Sequence, residues 1–370
     1  MKPCLGSLTT SNPMQSMNKR HFNRLLLAAA ASTVFPGVTL AQGGAKSGMA
    51  ESAAYAGPDR LQRLIDGAKK EGALNIYTSA QSDDMGPLVA GFEKKYGIKA
   101  SVWRAGSEKV LQRAVTEARG NRFTVDVIET NGPELESLHR EKLLQAIKSP
   151  HHANLLPAAV RPHYEWVGTR LNVFVQAYNT KLVKKEELPK TWEDLLNPRW
   201  KGRLGIEQED QDWLAGIAGE LGEARGTKLF KDIVAANGMS VRKGHTLLAQ
   251  LVASGEVPFA LTVYNYKAEQ LKQKGAPIDW LSIGTAIARP NGVGVARNAP
   301  NPHAALLFYD YEISEEGQKI LASRDFVPTN TKVETPFGKL PMRFVNPQTM
   351  LDEGDKWSKL YEEIFMAKAR

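Results

Sequence analysis

Cysteine is nearly absent from this sequence, and its absence excludes several kinds of chemistry. The only cysteine among the 370 residues is Cys4, which lies in an N-terminal segment that we expect to be removed. The remaining chain can therefore form no disulfide, no thiolate metal site and no cysteine nucleophile. Its stability has to come from a hydrophobic core, which a chain of this length is able to build.

Acidic residues are absent from the first 41 residues, which hold the basic residues Lys2, Lys19, Arg20 and Arg24. The rest of the chain carries 44 basic and 40 acidic side chains, so the net charge falls from +8 to +4. This near balance disfavours nucleic acid as a partner, because nucleic-acid binding depends on clustered positive charge. With 42% hydrophobic and 24% charged residues, the composition is that of a globular protein.

Hydrophobic runs long enough for a membrane span are also missing. The apolar block at 25–31 follows the basic stretch 18–24, and it is far shorter than the roughly 20 residues that cross a bilayer. Together with small residues near position 41, this pattern predicts a cleaved signal peptide at 1–41 and export to the periplasm, by either the Sec or the twin-arginine route. Residues 42–57, rich in Gly, Ala and Ser, predict a flexible leader.

Strand and helix patterns alternate from residue 58 onward, which predicts an α/β fold with mostly parallel sheets. Apolar runs predict strands at 74–78, 98–103 and 125–128, separated by helical spacing at 83–96 and 107–118. A second unit of the same kind interrupts the first. The expected segments are 58–170 for the first unit, 171–285 for the second, 286–330 for a return to the first, and 331–370 for C-terminal helices on the second.

Enzyme motifs are missing: no nucleophile elbow, zinc-protease motif or phosphate-binding loop occurs, and we expect no cofactor. Six scattered histidines, His245 among them, have spacings that form no metal site. The acidic run that contains Glu207 and Asp210 leaves two interpretations open. It is either a solvated loop before a helix, or a cation site or acid–base pair of an exported hydrolase.

Three polar turns follow the first three predicted strands, at 79–82, 104–107 and 130–133. Ligands of parallel α/β sheets bind where such turns meet helix N-termini, because unpaired N–H groups and a partial positive charge lie there. The turns predict a site for an anion, or for a metal with its anion. The alternative is that Ser107 and Asn131 only cap their own helices.

The chain resembles the periplasmic solute-binding proteins of bacterial ABC importers, in the extracellular family 1 group related to ferric-iron-binding proteins. That resemblance implies a type II periplasmic binding protein fold: two α/β lobes joined by crossing hinge strands. It also implies a non-enzymatic monomer that delivers its ligand to a membrane ABC permease. The residues that carry it are 74–79 (LNIYTS), 92–98 (FEKKYGI), 188–195 (LPKTWEDL), 198–202 (PRWKG), 254–257 (SGEV) and 314–318 (SEEGQ).

The resemblance also implies ligand residues. Gln81 and Asn131 occupy the positions of a histidine and a glutamate that bind iron in ferric-binding relatives. Asn265 and Tyr266 occupy those of adjacent tyrosines, and Trp213 that of a further tyrosine. Iron is therefore the nominal ligand, although only one phenol matches.

A small anionic organic solute is the alternative ligand. Arg104 and the polar turns would bind its charge, while aromatic side chains would form walls. Tyr264 and Tyr266 would face one side if both lie on a strand. The expected binding residues are Ser79, Gln81, Arg104, Ser107, Asn131, Glu207, Trp213, Tyr264, Asn265 and Tyr266, of which Tyr264 and Tyr266 would be the metal ligands if the cargo is iron.

Overall fold

The structure is a computed structural model that describes residues 43–367. The predicted signal peptide at 1–41 lies outside these residues. Within the described part of the chain, no helix combines the length and apolarity needed to cross a membrane. The strands of this part are β1 Ala73–Thr78, β2 Lys99–Arg104, β3 Val127–Asn131, β4 Trp166–Asn179, β5 Leu204–Glu207, β6 Ser240–Arg242, β7 Phe259–Tyr264, β8 Ile278–Leu281, β9 Ala286–Val295, β10 Val327–Pro328 and β11 Met342–Phe344.

Helices cover both faces of the strands. They are α1 Gly43–Ala54, α2 Arg60–Glu71, α3 Ser82–Tyr96, α4 Ser107–Arg119, α5 Gly132–Arg140, α6 Gln211–Leu221, α7 Glu223–Asn237, α8 His245–Ser254, α9 Asn265–Gln273, α10 Pro302–Ile313, α11 Glu315–Ala322, α12 Pro347–Asp352 and α13 Gly354–Tyr361, followed by a π-helical turn at Glu362–Met366. Gly97 ends α3 in the left-handed conformation, at φ 74°, and its N–H donates to the carbonyl of Glu93.

The strands pair in the order β2-β1-β3-β9-β4-β7-β5-β6, with β8 and β10 also paired to β4 and β11 to β9. Strands β2, β1 and β3 are parallel, as are β7, β5 and β6. Strands β9 and β4 run antiparallel to each other and to their outer neighbours. We call β1–β3 with α2–α5 the first lobe and β5–β7 with α6–α9 the second lobe. Two crossing strands therefore connect two parallel α/β lobes, as the fold class predicts.

Strand β4 is longer than its sequence pattern indicates. The pattern predicts a strand at about 172–178, whereas β4 runs from Trp166 to Asn179 and every one of its residues is buried. Arg170, Asn172 and Gln176 interrupt its apolar run, so the sequence lacks the continuous hydrophobicity of a buried strand. Arg170 pairs with Glu129, and Gln176 donates to the carbonyl of Leu261 and accepts from the N–H of Ile283. These long-range contacts accommodate polar side chains inside the strand, and the sequence pattern alone does not show them.

The ends of the chain also differ from expectation. Residues 43–54 form helix α1 instead of a flexible leader, because Met49 and Ala53 are 2% and 0% exposed and pack into the core. Near the other end, β11 pairs with β9, α12 contacts α5, and α13 contacts α6. The C-terminal segment therefore touches both lobes and not the second lobe alone.

Candidate ligand-binding site

A cavity of about 520 Å³ lies between the lobes, at the carboxyl ends of the parallel strands. Its walls come from the turns after β1, β2 and β3, from the ends of β5 and β7, and from the crossing strands β4 and β9. The fold thus brings eight residues that the sequence selects to the lining of one cavity. They are Ser79, Gln81, Arg104, Ser107, Asn131, Glu207, Tyr264 and Tyr266.

On the first lobe, three helices begin at this cavity. Helices α3, α4 and α5 start within a few residues of the ends of β1, β2 and β3, so their free N–H groups give the wall a partial positive charge. Asn131 and Ser107 bind each other: the amide Nδ2 of Asn131 donates to the hydroxyl of Ser107 at 2.8 Å, and neither side chain caps its own helix. The turns therefore present neutral amides and hydroxyls beside an electropositive edge.

On the second lobe, aromatic rings form a stack. The rings of His245 and Tyr264 lie 3.6 Å apart and nearly parallel, and the ring of Tyr266 lies 5.8 Å beyond Tyr264. Tyr264 is the last residue of β7, whereas Tyr266 lies in α9. The two phenols therefore do not share one face of a strand. The turn from strand to helix brings both of them to the cavity. Burial raises the pKa of both phenols, which keeps them protonated in the absence of a cation.

Two buried arginines on the crossing strands complete the floor of the cavity. Arg289, on β9, pairs with Asp212 and donates from Nη1 to the hydroxyl of Tyr264 at 2.6 Å. Arg170, on β4, pairs with Glu129. Sequence reasoning did not select either arginine. The signal that could have identified them is that each is a single cation within an apolar run typical of a strand. An unpaired charge is costly in such a place, so each arginine is expected to have a partner.

A model of the family described as bacterial extracellular solute-binding protein matches residues 124–344, which is more than half of the chain. This chain belongs to that family. Iron uptake protein A1 of Synechocystis sp. is 26% identical over 78% of this chain and 85% of its own length. The Fe(3+)-binding periplasmic protein of Serratia marcescens is 24% identical over 70% of this chain and 78% of its own length.

Solved structures share the fold of this solute-binding protein. Iron-bound HitA from Pseudomonas aeruginosa has a TM-score of 0.70 and 22% identity over 79% of this chain and 99% of its own. AfuA from Actinobacillus pleuropneumoniae, with exogenous fructose-6-phosphate bound, has a TM-score of 0.70 and 24% identity over 80% and 99%. Trichodesmium FutA, in complex with iron and citrate, has a TM-score of 0.66 and 25% identity over 79% and 99%.

Carboxylates and a histidine of this solute-binding protein meet beneath the aromatic stack. Ligand atoms of Glu207, Asp210 and His245 lie within 4.8 Å of one another, so the three could hold a cation. The acidic run left a cation site open as one interpretation, but the spacing of the histidines did not indicate that His245 would join it. His245 Nε2 lies 3.2 Å from Asp210, which also contacts Arg289. Burial raises the pKa of Asp210, but His245 and Arg289 outweigh burial and hold it below its usual value. The carboxylate of Asp210 is therefore held ionised by its neighbours and is poorly suited to exchange a proton together with Glu207.

Two residues selected from the sequence do not line the cavity. Trp213 is 1% exposed and packs edge-on against Trp192 and Phe230, with ring centroids 5.5 and 5.2 Å away. It lies on the inner face of α6, where an indole of its size contributes more to the core than to a polar wall. Asn265 is fully buried: its Oδ1 accepts from the N–H of Val173, and its Nδ2 donates to the carbonyl of Asp325.

Proposed function

We propose that this protein is the exported solute-binding component of an ABC importer. It captures a small ligand between its lobes and delivers it to the membrane permease. One observation carries this proposal: a cavity that both lobes line, beside the two crossing strands that connect them. A ligand that contacts both lobes lowers the free energy of the closed state, so the bound population shifts toward closure without any bond being broken.

The nominal cargo is ferric iron held as a complex with an organic anion. Both sequence relatives named above are iron proteins by name, and two of the three solved structures hold iron. The hydroxyls of Tyr264 and Tyr266 are hard oxygen donors of the kind that suit a trivalent cation. From the first lobe, the cavity lining contains the neutral amides of Gln81 and Asn131 and the hydroxyls of Ser79 and Ser107, but no carboxylate. Because these amides add no negative charge, the remaining ligands and the charge balance would come from the anion bound beside the helix N-termini.

A visible absorption band tests the ferric proposal. Adding ferric citrate to the mature protein should produce a phenolate-to-iron band that is lost in Tyr266→Phe, because the band requires a phenolate oxygen. Tyr164→Phe is the matched control, since Tyr164 is 47% exposed and does not line the cavity. Absence of the band, together with no change in melting temperature, would reject iron as the cargo.

A metal-free organic anion is the second candidate, and the cavity's cations favour it. Among the arginines and lysines that line the cavity in the described residues, Arg104 alone forms no ion pair, whereas Arg170, Lys243 and Arg289 each have a carboxylate partner. A ligand anion would therefore find an available guanidinium beside three helix N-termini. Titration with citrate and with sugar phosphates, each without iron, distinguishes this candidate from the ferric one.

Location and assembly are part of the proposal. We expect a periplasmic monomer released by cleavage near residue 41, without a nucleic-acid partner. N-terminal sequencing of the protein recovered from the periplasm, and its mass in solution, check both points. Stoichiometric binding without turnover would separate this function from that of an exported hydrolase, whereas turnover lost in Glu207→Gln would favour the hydrolase.

A further inference from the structure

The cleft continues beyond the cavity described above. We call that cavity the first chamber; a second chamber of about 820 Å³ adjoins it. The residues common to both linings are Gly106, Ser107, Asn131, Glu209, Lys243 and Arg289. One water molecule occupies about 30 Å³ of liquid, so the two chambers together hold far more than an ion and its nearest waters. The cleft therefore has room for an extended solute.

The C-terminal segment forms the outer wall of the second chamber. Met350, Ser358 and Glu362 line it from α12, α13 and the π-helical turn. The hydroxyl of Tyr361 donates to the backbone carbonyl of Glu207, which ties this wall to the floor of the first chamber. Because α12 contacts the first lobe and α13 the second, the wall belongs to the cleft and not to one lobe.

The two chambers differ in charge. In the second chamber, Asp212 is neutralised by Arg289, and Glu209 by Lys243 at 2.8 Å. Three further glutamates then face a single additional cation in its lining. They are Glu108, Glu134 and Glu362, against Lys109. The first chamber contains Arg104, which forms no ion pair, and is surrounded by helix N-termini, whereas the lining of the second chamber has more carboxylates than cations.

Glu134 is the carboxylate best placed to bind a ligand. It lies at the start of α5 and lines the second chamber, and its Oε2 is buried with no hydrogen-bond partner among the described residues. A buried acceptor without a donor is costly, so a ligand group that donates to it gains more than it would from an exposed carboxylate.

We propose that the second chamber binds a protonated amine of the ligand at Glu134, so that the transported solute carries an anionic group at one end and an ammonium group at the other. This inference rests on the proposed function, and specifically on its metal-free organic anion. The ammonium supplies a positive charge that balances the glutamates, and it supplies a hydrogen-bond donor for Oε2 of Glu134. The anionic end remains in the first chamber, near Arg104.

Paired probes test the proposal on the mature protein by calorimetric titration. Glucosamine 6-phosphate and glucose 6-phosphate differ by an ammonium in place of a hydroxyl, as do phosphoethanolamine and 2-hydroxyethyl phosphate. At least one amine should bind about tenfold more tightly than its hydroxyl partner, the ratio expected for one charge-assisted hydrogen bond. That preference should disappear in Glu134→Gln and persist in Glu186→Gln, a control on an exposed glutamate outside the cleft.

Proton release gives a second measurement. Burial raises the pKa of the Glu134 carboxyl to about 7, so near pH 7 about half of the molecules carry its proton. A bound ammonium favours the carboxylate, and each amine should therefore release about half a proton more than its hydroxyl partner. Comparing the same ligand on the wild type and on Glu134→Gln cancels any proton that the ligand itself exchanges. The difference should vanish in Glu134→Gln.

Several outcomes overturn this inference. Equal affinities within both pairs, or a preference that survives in Glu134→Gln, would show that no ammonium binds at Glu134. Binding of ferric citrate without binding of any of the four phosphates would also overturn this inference. The proposed transport function would then hold, with ferric iron as the cargo. If neither the phosphates nor ferric citrate bound, the proposed ligand classes would themselves be rejected.

Discussion

An ion pair between the lobes gives the most direct prediction about stability. Asp84, on α3 of the first lobe, is 1% exposed and accepts from Lys267 Nζ at 2.7 Å and from Gln270 Nε2 at 3.0 Å, both on α9 of the second lobe. Arg324 Nη2 adds a contact at 3.4 Å. Replacing Asp84 by Asn keeps the side chain's shape and removes its charge.

The expected loss follows from this geometry. Two unit charges 2.7 Å apart attract by about 6 kcal/mol at an effective dielectric constant of about 20, and desolvation offsets much of that attraction. Removing one member of a buried pair typically costs about 3–5 kcal/mol, because the other charge is left without a partner. Lys267 keeps a small exposed fraction, so we expect Asp84→Asn to lower the free energy of unfolding by about 2–4 kcal/mol.

Urea unfolding followed by tryptophan fluorescence measures this loss. Asp83→Asn is the matched control, because Asp83 is the adjacent and exposed aspartate of the same helix and should change stability by less than about 0.5 kcal/mol. A double-mutant cycle with Lys267→Met should give a coupling energy of about 2 kcal/mol. The reasoning is refuted if Asp84→Asn unfolds like the wild type, or if the two substitutions are additive.

Three further predictions concern other sites. Burial and the nearby Glu129 raise the pKa of Glu312 to about 8. Between about pH 5 and pH 8, the folded protein therefore keeps a proton that the unfolded chain releases. Because of this difference, the free energy of unfolding falls by up to about 1.4 kcal/mol per pH unit as the pH rises. Glu312→Gln should flatten this slope in urea unfolding, and an unchanged slope would contradict it. Trp213→Ala should cost about 3–5 kcal/mol of stability, as for other core aromatics, while leaving ligand affinity per folded molecule unchanged; a selective loss of affinity would instead place Trp213 in the site. Arg104→Ala should weaken binding of an anionic ligand about tenfold at low salt and reduce the salt dependence of that binding. The control Arg199→Ala, at an exposed arginine, should change neither quantity. If Arg104→Ala binds the ligand as tightly as the wild type, Arg104 is not part of the site.

Local patterns predicted the cavity's first wall well. The apolar runs and polar turns of residues 74–133 depend on neighbours only a few positions away, so strand, turn and helix N-terminus can all be identified from the sequence. Three turns at the ends of three parallel strands must lie on one edge of a sheet, which is why residues such as Gln81 and Asn131 fall beside one cavity. The strand and helix patterns also predicted a second unit, and the resemblance to solute-binding proteins added the crossing strands that join the two.

Other parts of the site depended on contacts between distant segments. Arg170 and Arg289 look like isolated charges in apolar strands, and only the crossing of β4 and β9 places them under the ligand cavity. Trp213 was assigned to the site by alignment, but the face of α6 on which it lies is decided by Trp192 and Phe230. No short-range pattern encodes either outcome.

By itself, the sequence determined the strands and helices of residues 74–133, the excess of basic charge in the first 41 residues, and the polar turns that end the first three strands, because hydrophobic period and turn chemistry act over a few residues. Only the tertiary structure decided the full length of β4 and which charges meet. The buried ion pairs of Arg170 and Arg289 and the acidic second chamber form between residues far apart in the chain, and their energies depend on burial and distance, which packing of the whole chain sets.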